Sequence, residues 1–240
     1  MFTPSLEITT VKVCPIDCYP ICPQRKFRQI YGNQKEVLSY EDFSKVIETV
    51  PKEVWIAFSG FSEPFLNQNV LDMMELARKK GHKISVFTTL IGLKLEDVDR
   101  FIKVKPEVLT LHLSDSKGIA HIPQTDDYRE VLRRVEWLAT DRMTLDASYI
   151  NDRAGNCEGS KPRHIYGELK CFKLNKPNFV MLPNGDVYLC CMDWSLEHKL
   201  GNLLKDSWDD LVGGVYKSIV AESKERDGMS LCRRCWRPNW

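Results

Sequence analysis

Cys14, Cys18 and Cys22 crowd one short loop, CPIDCYPICPQ, directly after an alternating apolar stretch that reads as a strand. Three thiolates on one loop can hold three irons of a 4Fe–4S cube and leave the fourth iron open to a small chelating molecule. Cys171, Cys190, Cys232 and Cys235 form a second set of four. Together the two sets point to a redox metalloenzyme. The chain holds nine cysteines in 240 residues, an odd number that a fully paired disulfide framework within one chain does not permit. Its start, MFTPSLEITTVKV, alternates and carries Glu7 and Lys12, which predicts a strand and not an export signal. The expected compartment is therefore the reducing cytoplasm, where cysteines serve as ligands. A net charge of +1 argues against a nucleic-acid partner or a membrane surface. No apolar run approaches the roughly 20 residues of a bilayer span.

Apolar, β-rich runs alternate with helical ones through residues 1–150. Leu6–Val13, Val54–Ser59, Lys83–Thr89, Val108–Leu113 and Met143–Ile150 read as strands. Ser39 is placed to cap a helix through Val50, with Asp42 three residues on. Further helices are expected over Val70–Lys80, stopped by Gly81, and over Leu95–Lys103 and Tyr128–Ala139. Five strands with helices between them predict an α/β fold with a parallel sheet. Such folds carry their chemistry at the strand C-terminal ends. The cysteine loop, Gly60–Pro64, Thr88–Thr89, Ser114–Asp115 and Asn151–Gly155 all fall there. The pattern changes after Arg153. Residues 151–178 are polar and irregular, and Phe179–Leu182 and Val187–Cys191 read as a hairpin around Gly185. One or two helices, Ser207–Val212 and Val215–Arg226, precede Cys232 and Cys235. Two units are expected: 1–150, and 151–240 as a small β-hairpin plus helix lobe stapled by metal.

The cysteine loop and FSGFSEPFLN at Phe58–Asn67 together resemble the radical S-adenosylmethionine (SAM) enzymes. That family's signature is CxxxCxxC after the first strand and a GGEP-like turn after the second. Ser59, Gly60, Glu63 and Pro64 stand at the matching positions, where exposed carbonyls and a carboxylate suit an ammonium ligand. The chain departs twice: its spacing is CxxxCxxxC, and Ser62 replaces the commoner glycine. The resemblance implies a partial parallel (β/α) barrel, a 4Fe–4S cluster on Cys14, Cys18 and Cys22, and SAM on the open iron. It also implies that Thr88, Thr89, Ser114 and Asp115 meet the ribose and methionine parts of SAM. Polar residues at strand ends are equally ordinary turn formers. Arg153, in NDRAGN, resembles a recurrent R-x-G element that contacts the SAM carboxylate or the substrate.

The second set is the more discriminating. Between Cys171 and Gly185 lie 13 residues, and four more separate Gly185 from Cys190. This resembles the Cx9–15Gx4C opening of the SPASM and twitch extensions of radical SAM enzymes, and Cys232 and Cys235 supply a C-x-x-C pair. Only Trp236–Trp240 follow, so the lobe resembles the shorter twitch type with one auxiliary 4Fe–4S cluster. Fully ligated, such a cluster suits electron transfer. A structural zinc site with four cysteine ligands is the alternative. Cys190, not Cys191, is taken as the ligand on the Gly-x4-Cys spacing, since adjacent strand residues face opposite ways. Cys157 reads as structural, the alternative being an exposed thiol near substrate. His82, His112, His121, His164 and His198 show no metal spacing, and GNLLKDSWDDL at 201–211 reads as a packing element.

What the resemblance implies about activity is reductive cleavage of SAM to a 5′-deoxyadenosyl radical that abstracts a substrate hydrogen. In size and cysteine layout the chain is similar to the family's aminocyclitol dehydrogenases of the 2-deoxy-scyllo-inosamine type. The expected reaction is a two-electron oxidation of a small sugar- or cyclitol-like alcohol, with Arg153 a candidate for handling the hydroxyl proton. A reductant such as flavodoxin or ferredoxin is the expected partner. The second expectation is a peptide-modifying maturase. The third is a non-catalytic zinc- or iron–sulfur-bearing interaction protein.

Overall fold

Successive strand residues point to opposite faces, and in the first strand, β1 (Ser5–Ile8), this separates two chemistries. Leu6 and Ile8 are fully buried, while Ser5 and Glu7 turn the other way. The structure, a computed structural model, describes residues 3–16, 18–116, 118–144, 151–161 and 163–235. Strands β2 (Trp55–Phe58), β3 (Ile84–Thr88), β4 (Val108–Leu113) and β5 (Asp141–Thr144) follow β1 in parallel, each beside its predecessor. On the other side of β1 lies β6 (Asn178–Met181), also parallel, with β7 (Asp186–Tyr188) and β8 (Lys199–Asn202) antiparallel beyond it. The order β5-β4-β3-β2-β1-β6-β7-β8 makes one open sheet of eight strands. Open and mostly parallel, it has the architecture expected of a partial barrel.

The helices are α1 (Gln24–Tyr31), α2 (Tyr40–Thr49), α3 (Val70–Lys79), α4 (Val98–Val104), α5 (Asp126–Val135), α6 (Phe172–Asn175), α7 (Trp208–Gly213) and α8 (Val215–Glu222). Ser39 caps α2 as predicted, its hydroxyl accepting from Asp42 N at 3.2 Å. Apolar residues at helical spacing, Phe43, Val46 and Ile47 of α2 and Val131 and Val135 of α5, join Leu6, Ile8, Ile56, Phe58, Val86 and Leu111 in one core. That core occupies one face of the sheet. The registers Glu7↔Ala57, Ala57↔Ser85 and Phe87↔Thr110 place Glu7, Ser85, Thr110 and His112 on the other face. Exposed Phe87 and Met143 share it. The second face is thus mixed. These polar groups stand beside Phe87 and Met143, and Val180, level with Glu7, joins a second apolar cluster with Phe27 and Trp194.

The structure departs from sequence expectation at several elements. The first strand ends at Ile8 and not at Val13, because Thr9 and Thr10 are drawn to the β2 turn. Thr9 Oγ1 accepts from Phe61 N at 3.0 Å, and Thr10 Oγ1 donates to Pro64 O at 3.1 Å. Helix α1, read as a polar stretch, forms because Gln24, Phe27 and Tyr31 recur on one buried side. Strand β5 starts at Asp141, and the remainder of the expected Met143–Ile150 strand, from 145 on, lies outside the described residues. The expected hairpin strand over Val187–Cys191 stops at Tyr188, which puts Cys190 and Cys191 in the following turn, closed by Asp193 N to Cys190 O at 2.9 Å. Its partner β6 pairs in parallel with β1 in the main sheet.

Candidate active site

The turn after β2 is built by its glycine and its carboxylate. Gly60 has φ of +68°, and a β-carbon there would stand 2.9 Å from both Cα and N of Thr9, so only glycine fits. Glu63 is buried, and both of its oxygens are taken. Oε1 accepts from Thr88 Oγ1 at 2.6 Å and Phe65 N at 3.2 Å; Oε2 accepts from Thr89 N and Thr89 Oγ1, both at 2.8 Å. Burial pushes this carboxyl up, and the hydroxyl and amide donors pull against it. The three residues predicted to contact SAM are thus tied to one another, and Glu63 clamps the β2 turn to the end of β3. Glu63→Ala, which strands four buried donors, is expected to lower stability by about 3 kcal/mol in urea unfolding.

Asp115 is likewise occupied: its carboxylate accepts from Ile119 N at 3.1 Å and Ala120 N at 3.0 Å, shaping the loop after β4. Ser114 stands exposed on the rim beside it. That loop reaches the cysteine loop through His121 N to Ile16 O at 3.1 Å.

Cys14, Cys18 and Cys22 are partly exposed on their loop, where Cys22 N bonds Cys18 O at 3.0 Å. Burial pushes the Cys22 thiol up to about 12, against the pull of the Arg153 guanidinium. Residues 151–157 close over this loop. Lys26 Nζ donates to Asn156 Oδ1 at 2.7 Å, and Cys157 Sγ bonds Ile21 O at 3.4 Å. Asn156, missed by sequence reasoning, also holds Arg153 O at 2.8 Å and Met192 O at 3.1 Å, joining α1 to the turn of Cys190. Arg153 and Ala154 both adopt positive φ, of 49° and 56°, a conformation that costs energy for side-chain-bearing residues and aims Arg153 inward. Its Nε is buried without a hydrogen-bond partner, and its charge acts on Cys22, Cys157, Cys191 and His112 together.

His112 makes that charge measurable. Burial first, then Arg153, drives the imidazole down to about 4 against the pull of Asp141. An unfolded imidazole takes its proton near 6.5, so between those values the unfolded chain binds more protons and the fold weakens as pH falls. The loss is about 2 kcal/mol at about pH 5. His112→Gln is expected to flatten the fall in urea midpoint between about pH 7 and about pH 5.

In the second set, Cys190, Cys232 and Cys235 are buried and Cys171 is partly so. Burial, then Cys171 and Cys235, pushes Cys232 up to about 12; burial, Cys191 and, more weakly, Cys232 push Cys190 upward too. These four therefore share one region, whereas Cys191 turns to Lys173, Glu7 and Arg153. Among the described residues no three His, Cys, Asp or Glu side chains converge as ligands of one metal ion. Four thiolates suit either one metal ion or a cube in which each meets a different iron.

Arg233, fully buried between Cys232 and Cys235, forks onto four carbonyls. Nη1 donates to Ile165 O and Gly167 O at 3.2 and 2.5 Å, and Nη2 to Glu222 O and Glu225 O, both at 2.9 Å. Gly185 turns the β6–β7 hairpin at φ of +84°. Asn202 of the 201–211 stretch buttresses that hairpin through Asn184 O at 3.1 Å and Asp186 Oδ1 at 2.8 Å.

One polar line was invisible in the sequence. Ser59 Oγ donates to Glu7 Oε2, Lys173 Nζ donates to Glu7 Oε1, and Lys173 Nζ donates to Cys191 Sγ, each at 3.3 Å. Burial works against the Lys173 charge, but Cys191 and Glu7 outweigh it and hold its pKa above the ordinary lysine value. The line runs from the β2 turn across the second face of the sheet to the turn of Cys190. A groove of about 430 Å³ between Gly92 and Tyr128 holds none of these residues.

Residues 171–236 match the SPASM family, an iron-sulfur cluster-binding domain. Nearly the whole chain matches solved structures in fold. BtrN in complex with AdoMet and 2-DOIA superposes with a TM-score of 0.71 at 14% identity, covering 94% of this chain and 89% of BtrN. Native anSMEcpe with bound AdoMet gives 0.58 at 13%, covering 97% and 86%. Streptococcus suis SuiB bound to precursor peptide SuiA gives 0.56 at 13%, covering 98% and 70%. No curated protein matches by sequence. Residues 171–236 thus carry the match to an iron–sulfur cluster-binding domain. Nearly the whole chain shares the α/β fold of BtrN, anSMEcpe and SuiB.

Proposed function

We propose that this chain is a radical SAM enzyme that oxidises, by two electrons, an alcohol carbon of a small sugar- or cyclitol-like substrate. The observation that carries the reading is the run of polar groups from Ser59 through Glu7 to Lys173, with the unpartnered Nε of Arg153. Such groups suit a small hydroxylated ligand better than an apolar one. The similarity in fold to BtrN, whose structure holds AdoMet and 2-DOIA, supports it.

Cys14, Cys18 and Cys22 hold the first cluster in this reading, and Cys171, Cys190, Cys232 and Cys235 the auxiliary one. The domains fall at 1–150 and 151–240. When bound, cluster and SAM supply a 5′-deoxyadenosyl radical able to abstract hydrogen from carbon. The carbonyls of Ser59 and Gly60 would accept from the SAM ammonium, with Glu63 and Pro64 holding the turn in place. Thr88 and Thr89 fix the end of β3 through Glu63, and Asp115 shapes the loop from which Ser114 would meet the ribose. Arg153 donates to a carboxylate or hydroxyl. An arginine keeps its proton in proteins, so Arg153 orients the hydroxyl, and Glu7, the carboxylate on the same face, accepts the proton. Partial exposure of Cys14 and Cys18 leaves the first cluster within reach of a flavodoxin or ferredoxin.

Anaerobic reconstitution tests this. About eight iron per chain is expected, with reductant-dependent 5′-deoxyadenosine, falling to about four iron and no SAM cleavage in a Cys14/Cys18/Cys22→Ala triple variant. Zinc in place of iron, or a loaded protein that leaves SAM intact, would overturn the reading.

A second reading, a peptide-modifying enzyme, is favoured by one feature. Edge strand β5 has all four residues exposed, and an extended peptide adds readily to such an edge. SuiB, similar in fold, was solved with its precursor peptide. Deuterium transfer into 5′-deoxyadenosine from labelled polyols, or from labelled peptides, separates the two. Among the described residues no helix is long and apolar enough to cross a membrane.

A further inference from the structure

We propose that Lys173 sets the reduction potential of the auxiliary cluster, and that Glu7, reaching it from β1, moderates that effect. The inference rests on the reading of Cys171, Cys190, Cys232 and Cys235 as cluster ligands. Lys173 lies two residues after Cys171, and its ammonium donates to the sulfur of Cys191, next to Cys190. It is therefore flanked by two ligands of the set. Its side chain is 18% exposed and that of Glu7 15%, so water screens neither charge well.

A cluster that takes up one electron becomes more negative by one charge. A fixed cation beside it favours the reduced state, and a fixed anion disfavours it. Lys173 Nζ is the cation in contact with the turn that holds Cys190, and Glu7 Oε1 sits 3.3 Å behind it. Glu7 lies on a strand 166 residues away in sequence, so its replacement changes the charge beside Lys173 from outside the lobe's own chain. The Cys191 sulfur serves as the ammonium's acceptor, which gives the second cysteine of the Cys190–Cys191 pair a purpose apart from ligation. The arrangement suits an oxidation, where the substrate radical must give up an electron to a nearby acceptor.

The experiment is a redox titration, followed by electron paramagnetic resonance, of the full-length chain carrying the Cys14/Cys18/Cys22→Ala substitutions and loaded with iron and sulfide. Lys173→Met is expected to lower the equilibrium constant for one-electron reduction about tenfold, a shift of about 59 mV to more negative potential. Lys173→Arg, which keeps the charge, is expected to stay near the parent. Glu7→Gln is expected to shift in the opposite direction, and it keeps the test open should Lys173→Met hold no cluster. A loaded Lys173→Met protein at the parent's potential would overturn the inference, as would a Glu7→Gln protein that fails to shift upward. Absence of iron from the triple variant would instead overturn the reading of the lobe itself.

Discussion

Arg233→Ala is expected to lose the auxiliary cluster while the first one persists, with iron falling from about eight to about four per chain. Among the described residues Arg233 is one of the largest fully buried side chains, and its guanidinium donates to the carbonyls of Ile165, Gly167, Glu222 and Glu225. Those carbonyls belong to two separate segments, the run before Cys171 and the end of α8. One side chain therefore closes the loop that carries Cys232 and Cys235 against both. Alanine removes four part-buried hydrogen bonds, at about 1 kcal/mol each, or about 4 kcal/mol in all. Losses of that size are exceptional for one substitution. Arg233→Lys should recover part of it, since an ammonium donates from one point and cannot fork onto two pairs of acceptors. Arg234 next to it is the control. It pairs with Glu197 on a partly exposed surface, and Arg234→Ala should change neither iron content nor stability by more than about 1 kcal/mol. Iron analysis with urea unfolding reads both.

Much of this frame can be read along the chain, because its causes are local. Ser39 and Asp42 are three residues apart, and their cap forms as the spacing predicts. Gly81 and Gly185 adopt positive φ where a helix stop and a hairpin turn require it. The five parallel strands come in sequence order because each βα unit places its strand beside the last. What escaped is non-local. Strand β6 joins β1 across 173 residues, as the bond from Ser5 to Asn178 records, and no periodicity announces such a pairing. Glu63 looked like a ligand for SAM, yet its oxygens are filled by Thr88, Thr89 and Phe65, which lie at the end of β3 and in its own turn. Glu7 reads as an ordinary polar residue of an alternating strand until the fold brings Lys173 to it. Helix α1 was hidden by its charge: only one buried side distinguishes QRKFRQIY from a polar linker.

Gly60→Ala is expected to abolish SAM cleavage while leaving both clusters loaded. The added methyl would stand 2.9 Å from the Cα and N of Thr9, backbone atoms that cannot swing aside. Thr9 is itself held, because its amide donates to Met181 O at 2.9 Å and its hydroxyl receives the amide of Phe61. The strain therefore falls on the turn. Ser59 and Gly60, the proposed acceptors of the SAM ammonium, must move away from β1 while Glu63 still anchors the far end to Thr88 and Thr89. About 3 kcal/mol of misfit at this point corresponds to roughly a hundredfold in SAM affinity. Cys14, Cys18 and Cys22 lie on another loop, so iron content should stay at the parent's value, which separates a failure to bind SAM from a failure to fold. Gly213→Ala in α7 controls for the substitution itself, since a methyl there meets nothing within 4 Å. Calorimetric SAM titration of the loaded protein decides the matter. Unchanged affinity in Gly60→Ala would mean that SAM does not rest on this turn, and the ligand site would have to be sought nearer Arg153.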